Sequence, residues 1–542
     1  MKIRIRVFVF SVLAVLQSMS AAGVAAQAPE PAASPRLVVI LVVDQMRAQY
    51  LEDYRALFTQ GIDRLLEQGA WYRRAAYPYL NTVTCVGHST IGTGTYPYRH
   101  GMILNAWYDR EQKRSPSCTE DETAKEFSYS GLPPVEGDSA RRLMQPTLAE
   151  HLHRSRQGRI VAVSLKPRST MPVVGQEADA ITWFDDRGGW MTSLAYGPPS
   201  PELQKYIKAH PPARDLRKTW TKALPDRAYQ FADDAPEEHP VAGWDHTFPH
   251  PLGTPEGKAD AGFYTRWQRS PFADEYLGRM AAAMVDAMRL GRGPGVDFLS
   301  VSFSTLDGVG HAYGPRSHEV QDTLVRLDAT IGRLLEHLDA KVGRNNYVLG
   351  LSADHGVSEI PEQTPDGGRI TSATIREALQ KVLEPAIGPG EHVVASQYTD
   401  QYLSPAAAER IKTDEALRNA LLDTLRALPG VQQAYYGADL ATPESRNAAD
   451  PMRRAAALSY YPGRSGDLIL VPSRHWITST AATTHGTLND YDQRVPVILY
   501  GAGIKPGTYD DPASPADLAP SLGAAVGMEM GDVDGIALGA IR

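Results

Sequence analysis

"RLVVILVVD" (residues 36–44) places seven apolar residues in a row between Arg36 and Asp44. A half-buried strand would alternate apolar with polar, whereas an unbroken apolar run suits a strand covered on both faces. Four more runs share this form: "RIVAVSL" (159–165), "VDFLSVSFSTLD" (296–307), "NYVLGLSADHG" (346–356) and "VPVILYG" (495–501). All five read as buried parallel strands. Between them lie helical patterns such as "HEVQDTLVRLDATIGRLLEHLDAK" (318–341), apolar at Val320, Leu324, Leu327, Ile331, Leu334, Leu335 and Leu338. Strand alternating with helix predicts an α/β/α sandwich around a largely parallel central sheet.

The chain has 542 residues, 42% hydrophobic and 22% charged, enough for a large core. Its formal charge of -8 and lack of a basic block exclude a general binder of nucleic-acid duplexes. At the N-terminus Lys2, Arg4 and Arg6 precede the apolar run Val7 to Leu16 and the small residues of "SAAGVAAQA". That is the order of a secretory signal, with cleavage expected after Ala26. The apolar run is shorter than the ~20 residues of a membrane span. The mature chain, residues 27–542, is therefore expected to be exported, periplasmic or secreted, with no stable span after cleavage. Export permits a bridge between the two cysteines, Cys85 and Cys118, and two buried free thiols are the other reading.

Two regions interrupt the strand and helix rhythm. Residues 171–290 are rich in Pro, Trp and Tyr, and residues 360–480 carry a separate helical signal, "AAERIKTDEALRNALLDTLRAL". Both read as insertions walling a site, the second as a cap subdomain.

In open α/β sheets, ligands bind beyond the carboxyl ends of the strands. Asp44, Asp307, Asp354 and His355 sit at such ends, His311 follows Asp307 by four, and "ATTHGT" supplies His485. Three aspartates and three histidines offer mixed oxygen and nitrogen donors, which suit two zinc ions better than calcium or magnesium. His88, His100, His151, His153 and His318 read as ordinary surface or core histidines.

The ordered set Asp44, "TCVGHSTIGTG" (84–94), "LDGVGH" (306–311), "ADHG" (353–356) and "THGT" (484–487) resembles the alkaline phosphatase superfamily. It is most similar to the type I phosphodiesterase/nucleotide pyrophosphatase-like branch and to bacterial alkaline phosphatases with a threonine nucleophile. That resemblance implies two zinc ions per chain: one held by Asp307, His311 and His485, the other by Asp44, Asp354, His355 and the hydroxyl of Thr84. Thr84 would be the nucleophile, because the family motif has a histidine four residues later, as His88 is here. Thr82 is the rival hydroxyl. A metal that acidifies a bound hydroxyl makes it nucleophilic without a neighbouring base.

"SLKPRST" offers Lys166 and Arg168 just past a strand, and "GMILNAWYD" offers Asn105. Arg can fork onto phosphate oxygens and Lys acts as a point charge. In the threonine-type bacterial enzymes a K-x-R pair and a downstream asparagine hold the phosphoryl group, and the diesterase branch lacks that pair. The resemblance therefore implies a zinc-dependent phosphatase of small phosphate monoesters, forming a phosphothreonine, expected as a monomer and without a required magnesium. A phosphodiesterase or nucleotide pyrophosphatase on the same scaffold is the alternative. The Cys/Ser-x-Pro-x-Arg motif of sulfatases is absent.

Overall fold

A computed structural model describes residues 34–133 and 136–541. The signal segment expected at 1–26 lies outside the described residues. Eleven strands form one sheet, ordered Gly507–Tyr509, Ala70–Tyr72, Val497–Gly501, Tyr347–Ser352, Leu37–Val43, Asp297–Phe303, Ile160–Ser164, Ala180–Asp185, Gly189–Ser193, Glu120–Ser128 and Glu136–Asp138. All seven residues of Leu37–Val43 are buried. Taking each aliphatic side chain out of water contributes roughly 1.5–3 kcal/mol, which is why this strand occupies the sheet's centre.

Leu37–Val43 pairs in parallel with Asp297–Phe303 on one side and Tyr347–Ser352 on the other. The registers match: Val43 lies opposite Phe303, and Val42 opposite Ser352. The Asp44 amide continues the ladder by donating to the Phe303 carbonyl at 2.9 Å. Three strands thus stop at one level, and the residues just beyond them are forced together.

Two regions differ from the sequence reading. Val497–Gly501 runs antiparallel to Tyr347–Ser352. The chain enters it from the His485 loop, already at the carboxyl edge of the sheet, so the strand can only run back. Ala180–Asp185 and Gly189–Ser193, read as part of an insertion, extend the main sheet instead. Their Trp and Phe content hid two short strands. Within 360–480, a four-stranded antiparallel sheet (Val393–Gln397, Asp400–Leu403, Leu468–Pro472, Val431–Tyr436) packs with the helices Ser372–Ile387 and Glu415–Arg426. Ile375, Leu379, Leu421, Leu425 and Leu470 form its own core. Among the described residues no helix is long and apolar enough to cross a membrane.

Cys85 and Cys118 are bonded, 33 residues apart, and both are buried. Closing a loop of that size restricts the unfolded chain by about 3–4 kcal/mol. Replacing both with serine is expected to lower unfolding stability by up to that amount, measured by denaturant titration against the oxidised wild type.

Candidate metal centre and nucleophile

The strand ends, the helix that follows one of them and the loop carrying His485 bring six donors together, five of them buried and His311 partly so. Asp44 and Asp354 directly follow or closely trail their strands. Asp307 lies in the first turn of the helix Thr305–Tyr313, which puts His311 one turn on and on the same face. His311 Nε2 is 3.2 Å from Asp307 Oδ1, and His485 Nε2 is 3.8 Å from the same oxygen. On the other side, His355 Nε2 lies 3.4 Å from Asp44 Oδ1 and 3.3 Å from Asp354 Oδ2. The rings of His355 and His485 stack at 3.4 Å. Two sets therefore have ligand atoms close enough to share an ion, Asp44 with Asp354 and His355, and Asp307 with His355 and His485. The sequence reading grouped His355 only with the first set, and the stacked rings bring it within reach of both.

The surroundings of these atoms fit metal ligation. His311 Nδ1 faces the Thr483 carbonyl at 2.8 Å, His355 Nδ1 the Gly356 carbonyl at 2.9 Å, and His485 Nδ1 the Thr82 carbonyl at 3.0 Å. A carbonyl oxygen only accepts, so each Nδ1 carries the proton and each Nε2 turns toward the carboxylates. Burial, reinforced by the neighbouring His355 and His311 rings, pushes His485 well below the usual imidazole range, which keeps its Nε2 lone pair free. Asp44 Oδ1 and Asp354 Oδ2 are buried and, among the described residues, have no well-aligned hydrogen-bond donor. Burial, followed by the charges of Asp307 and Asp354, pushes the Asp44 carboxyl far up. Like charges crowded without water are costly, and a divalent cation among them removes that cost. The donor set accordingly fits divalent metal ions.

Thr84 opens the helix Thr84–Thr93, and its Oγ1 lies 3.4 Å from His355 Nε2. The rival Thr82 donates its hydroxyl to the Thr487 carbonyl at 2.8 Å and is tied up structurally. Asn105 Oδ1 accepts the Cys85 amide at 2.8 Å, which fixes the side chain beside the helix start with Nδ2 as its donor end. Lys166 Nζ lies between the two sets, 2.6 Å from Asp44 Oδ2 and 2.5 Å from Asp307 Oδ2. Arg168 lines a cavity of about 590 Å³ that also meets Lys166, Asp307 and His311, and its buried Nε has no acceptor.

Two residues at the site have tasks the sequence reading did not give them: His88, which served there only as the motif histidine marking Thr84, and Gln45. His88 is fully buried: Nδ1 is 2.9 Å from the Thr84 carbonyl and 3.2 Å from Asp354 Oδ2, and Nε2 is 2.8 Å from Ser302 Oγ. It braces the first turn of the Thr84 helix against the Asp354 carboxylate. Gln45 has a left-handed backbone (φ 70°) and joins the two sets. Its amide donates to Asp354 Oδ1 at 3.1 Å and its side-chain Nε2 to Asp307 Oδ1 at 2.8 Å. Adjacency to Asp44 was the only signal available for it. The helix also depends on Gly87, where a Cβ would lie 2.1 Å from the Asp354 carbonyl oxygen.

This geometry agrees with three comparisons. The family model described as type I phosphodiesterase / nucleotide pyrophosphatase matches residues 38–494. The chain belongs to that family. Alkaline phosphatase PafA of Elizabethkingia meningoseptica is 30% identical over 510 residues, covering 90% of this chain and 91% of the relative. Alkaline phosphatase PhoK of Sphingomonas sp is 31% identical over 526 residues, covering 91% and 89%. The crystal structure of wild-type PafA superposes with a TM-score of 0.84 at 28% identity, covering 94% of this chain and all of that one.

Gln45→Leu removes the amide donor to Asp307 while keeping the volume. Loss of such a support costs metal affinity about 10–100-fold. That drop is the expected outcome, read by chelator competition on the metal-loaded protein.

Proposed function

We propose that this protein is a zinc-dependent phosphatase of phosphate monoesters, working through a phosphothreonine at Thr84. The observation that carries the reading is the convergence of two Asp/His sets that share His355, with Thr84 Oγ1 only 3.4 Å from His355 Nε2. Asp307, His311 and His485 would hold one zinc ion, and Asp44, Asp354, His355 and Thr84 Oγ1 the other; bound there, they would acidify the hydroxyl and neutralise charge on the departing oxygen.

Thr84 Oγ1 gives up its proton and attacks phosphorus as the bond to the leaving oxygen breaks, and that oxygen departs with the electron pair and takes up a proton. Water then attacks phosphorus from the vacated side, the bond from phosphorus to Oγ1 breaks, Oγ1 takes a proton back and inorganic phosphate leaves. The helix start supplies backbone N–H groups and a dipole that favour the incoming anion. Asn105, Lys166 and Arg168 stabilise the transferred phosphoryl group, Asn105 through Nδ2 and Arg168 through its guanidinium. A monoester carries more charge on its non-bridging oxygens than a diester, so this extra cation set favours monoester hydrolysis over the diesterase alternative. PafA and PhoK are both named alkaline phosphatases. One solved PafA variant replaces a threonine with serine, and an asparagine, a lysine and an arginine with alanine, the residue types grouped here. The leading segment 1–26 is read as a signal peptide that delivers a monomeric enzyme to the periplasm or beyond, with the insertions walling the mouth of the site.

Thr84→Ala is expected to lower kcat/KM for phenyl phosphate by roughly a thousandfold or more while zinc remains bound. The Lys166→Ala, Arg168→Ala double variant is expected to lose about a hundredfold more activity toward phenyl phosphate than toward its methyl diester. Full activity in Thr84→Ala, or a strong diester preference in the wild type, would overturn the reading.

A further inference from the structure

The cavity of about 590 Å³ is larger than a phosphoryl group needs, and its wall beyond the metal donors carries groups without an assigned task. Its lining includes Asp307 and His311. Between these two residues, on the same helical turn, stands Gly308. Arg269 lies directly over it: a Cβ at Gly308 would be 2.8 Å from Arg269 Cγ and 3.5 Å from both Cδ and Nε. The missing side chain at 308 is what lets the arginine stem rest on the turn that carries the metal donors.

Arg269 caps the short helix Phe263–Gln268, is exposed at its tip, and has no ion pair among the described residues. Glu126, Asp138 and Arg168 also line this wall, and three of the other charged groups on it have partners of their own. Asp185 pairs with Arg187 at 2.7 Å, Asp186 accepts from Gln268 Nε2 at 3.2 Å, and Lys166 is held by Asp44 and Asp307. A guanidinium with a seated stem and a free planar fork matches a carboxylate or phosphate in two-point contact.

We propose that Arg269 forms a leaving-group subsite selecting phosphate monoesters whose alcohol carries a second anion, a carboxylate or another phosphate. The inference rests on the phosphomonoesterase reading of the same site. Arg168 grips the group transferred to Thr84, and Arg269 reaches the group that departs over Gly308 and His311. With no competing carboxylate on its fork, Arg269 binds the second anion without first breaking an internal pair.

The test compares kcat/KM of zinc-loaded wild type, Arg269→Ala and Arg269→Glu for phenyl phosphate, 3-(carboxymethyl)phenyl phosphate and benzene-1,3-diyl bisphosphate. Expressed relative to phenyl phosphate for each protein, intrinsic differences in the leaving groups cancel. The relative kcat/KM for the anionic substrates is expected to fall about tenfold in Arg269→Ala, and further in Arg269→Glu, the size of one charge-assisted contact. A fall for only the carboxylate or only the bisphosphate identifies which anion the subsite takes. Relative values within twofold of wild type in both variants, with phenyl phosphate still hydrolysed, would overturn the subsite alone. A wild type that fails to hydrolyse phenyl phosphate would overturn the phosphomonoesterase reading, and the subsite with it.

Discussion

The hydrogen-bond ladder that holds Leu37–Val43 between Asp297–Phe303 and Tyr347–Ser352 sets everything at the site. Its matched register ends three strands at one level, and the Asp44 amide, bonded to the Phe303 carbonyl, carries the alignment one residue past the strand. Asp44, Asp354 and the helix bearing Asp307 meet there because the backbone leaves them nowhere else to go. A slip of one residue would turn these side chains toward the wrong face.

Concentrating carboxylates at such a point is electrostatically unfavourable, and the molecule meets the difficulty with several separate devices. Carbonyls from Gly356, Thr82 and Thr483 each fix one imidazole with Nε2 inward. Lys166 spans Asp44 and Asp307, and, against the cost of burial, Lys166 and His311 hold the Asp307 carboxyl well below the usual range. Gln45 stitches Asp354 to Asp307 with one backbone and one side-chain donor. Fixed donors around buried charge make a site that needs little rearrangement to accept a cation or a phosphoryl anion, which is the form of preorganisation that favours catalysis.

Most of the donor set was legible in the sequence, because each ligand adjoins an apolar strand or a Gly-rich turn and the strand ends converge by rule. Thr84 stood out for a similar reason, lying four residues before a histidine at a helix start. The bracing task of His88, read only as the motif histidine after Thr84, and any part for Gln45 were not legible. A histidine whose far contacts are Asp354 and Ser302, and a glutamine whose partners lie 262 and 309 positions away, leave no local pattern for those tasks. The same holds for Arg269 on Gly308, and for the strands at 180–193, whose aromatic residues disguised a sheet edge as an insertion.

The sequence by itself determined the α/β architecture, the chemical types at the centre, and which hydroxyl stands at a helix start. These follow from local periodicity and from residue chemistry, both of which survive without knowledge of long-range contacts. The tertiary structure alone decided the reversed direction of Val497–Gly501, the sharing of His355 between both donor sets, and the pairing of Cys85 with Cys118. Each depends on the distance between residues far apart along the chain, a quantity fixed only when the sheet has closed and its register is set.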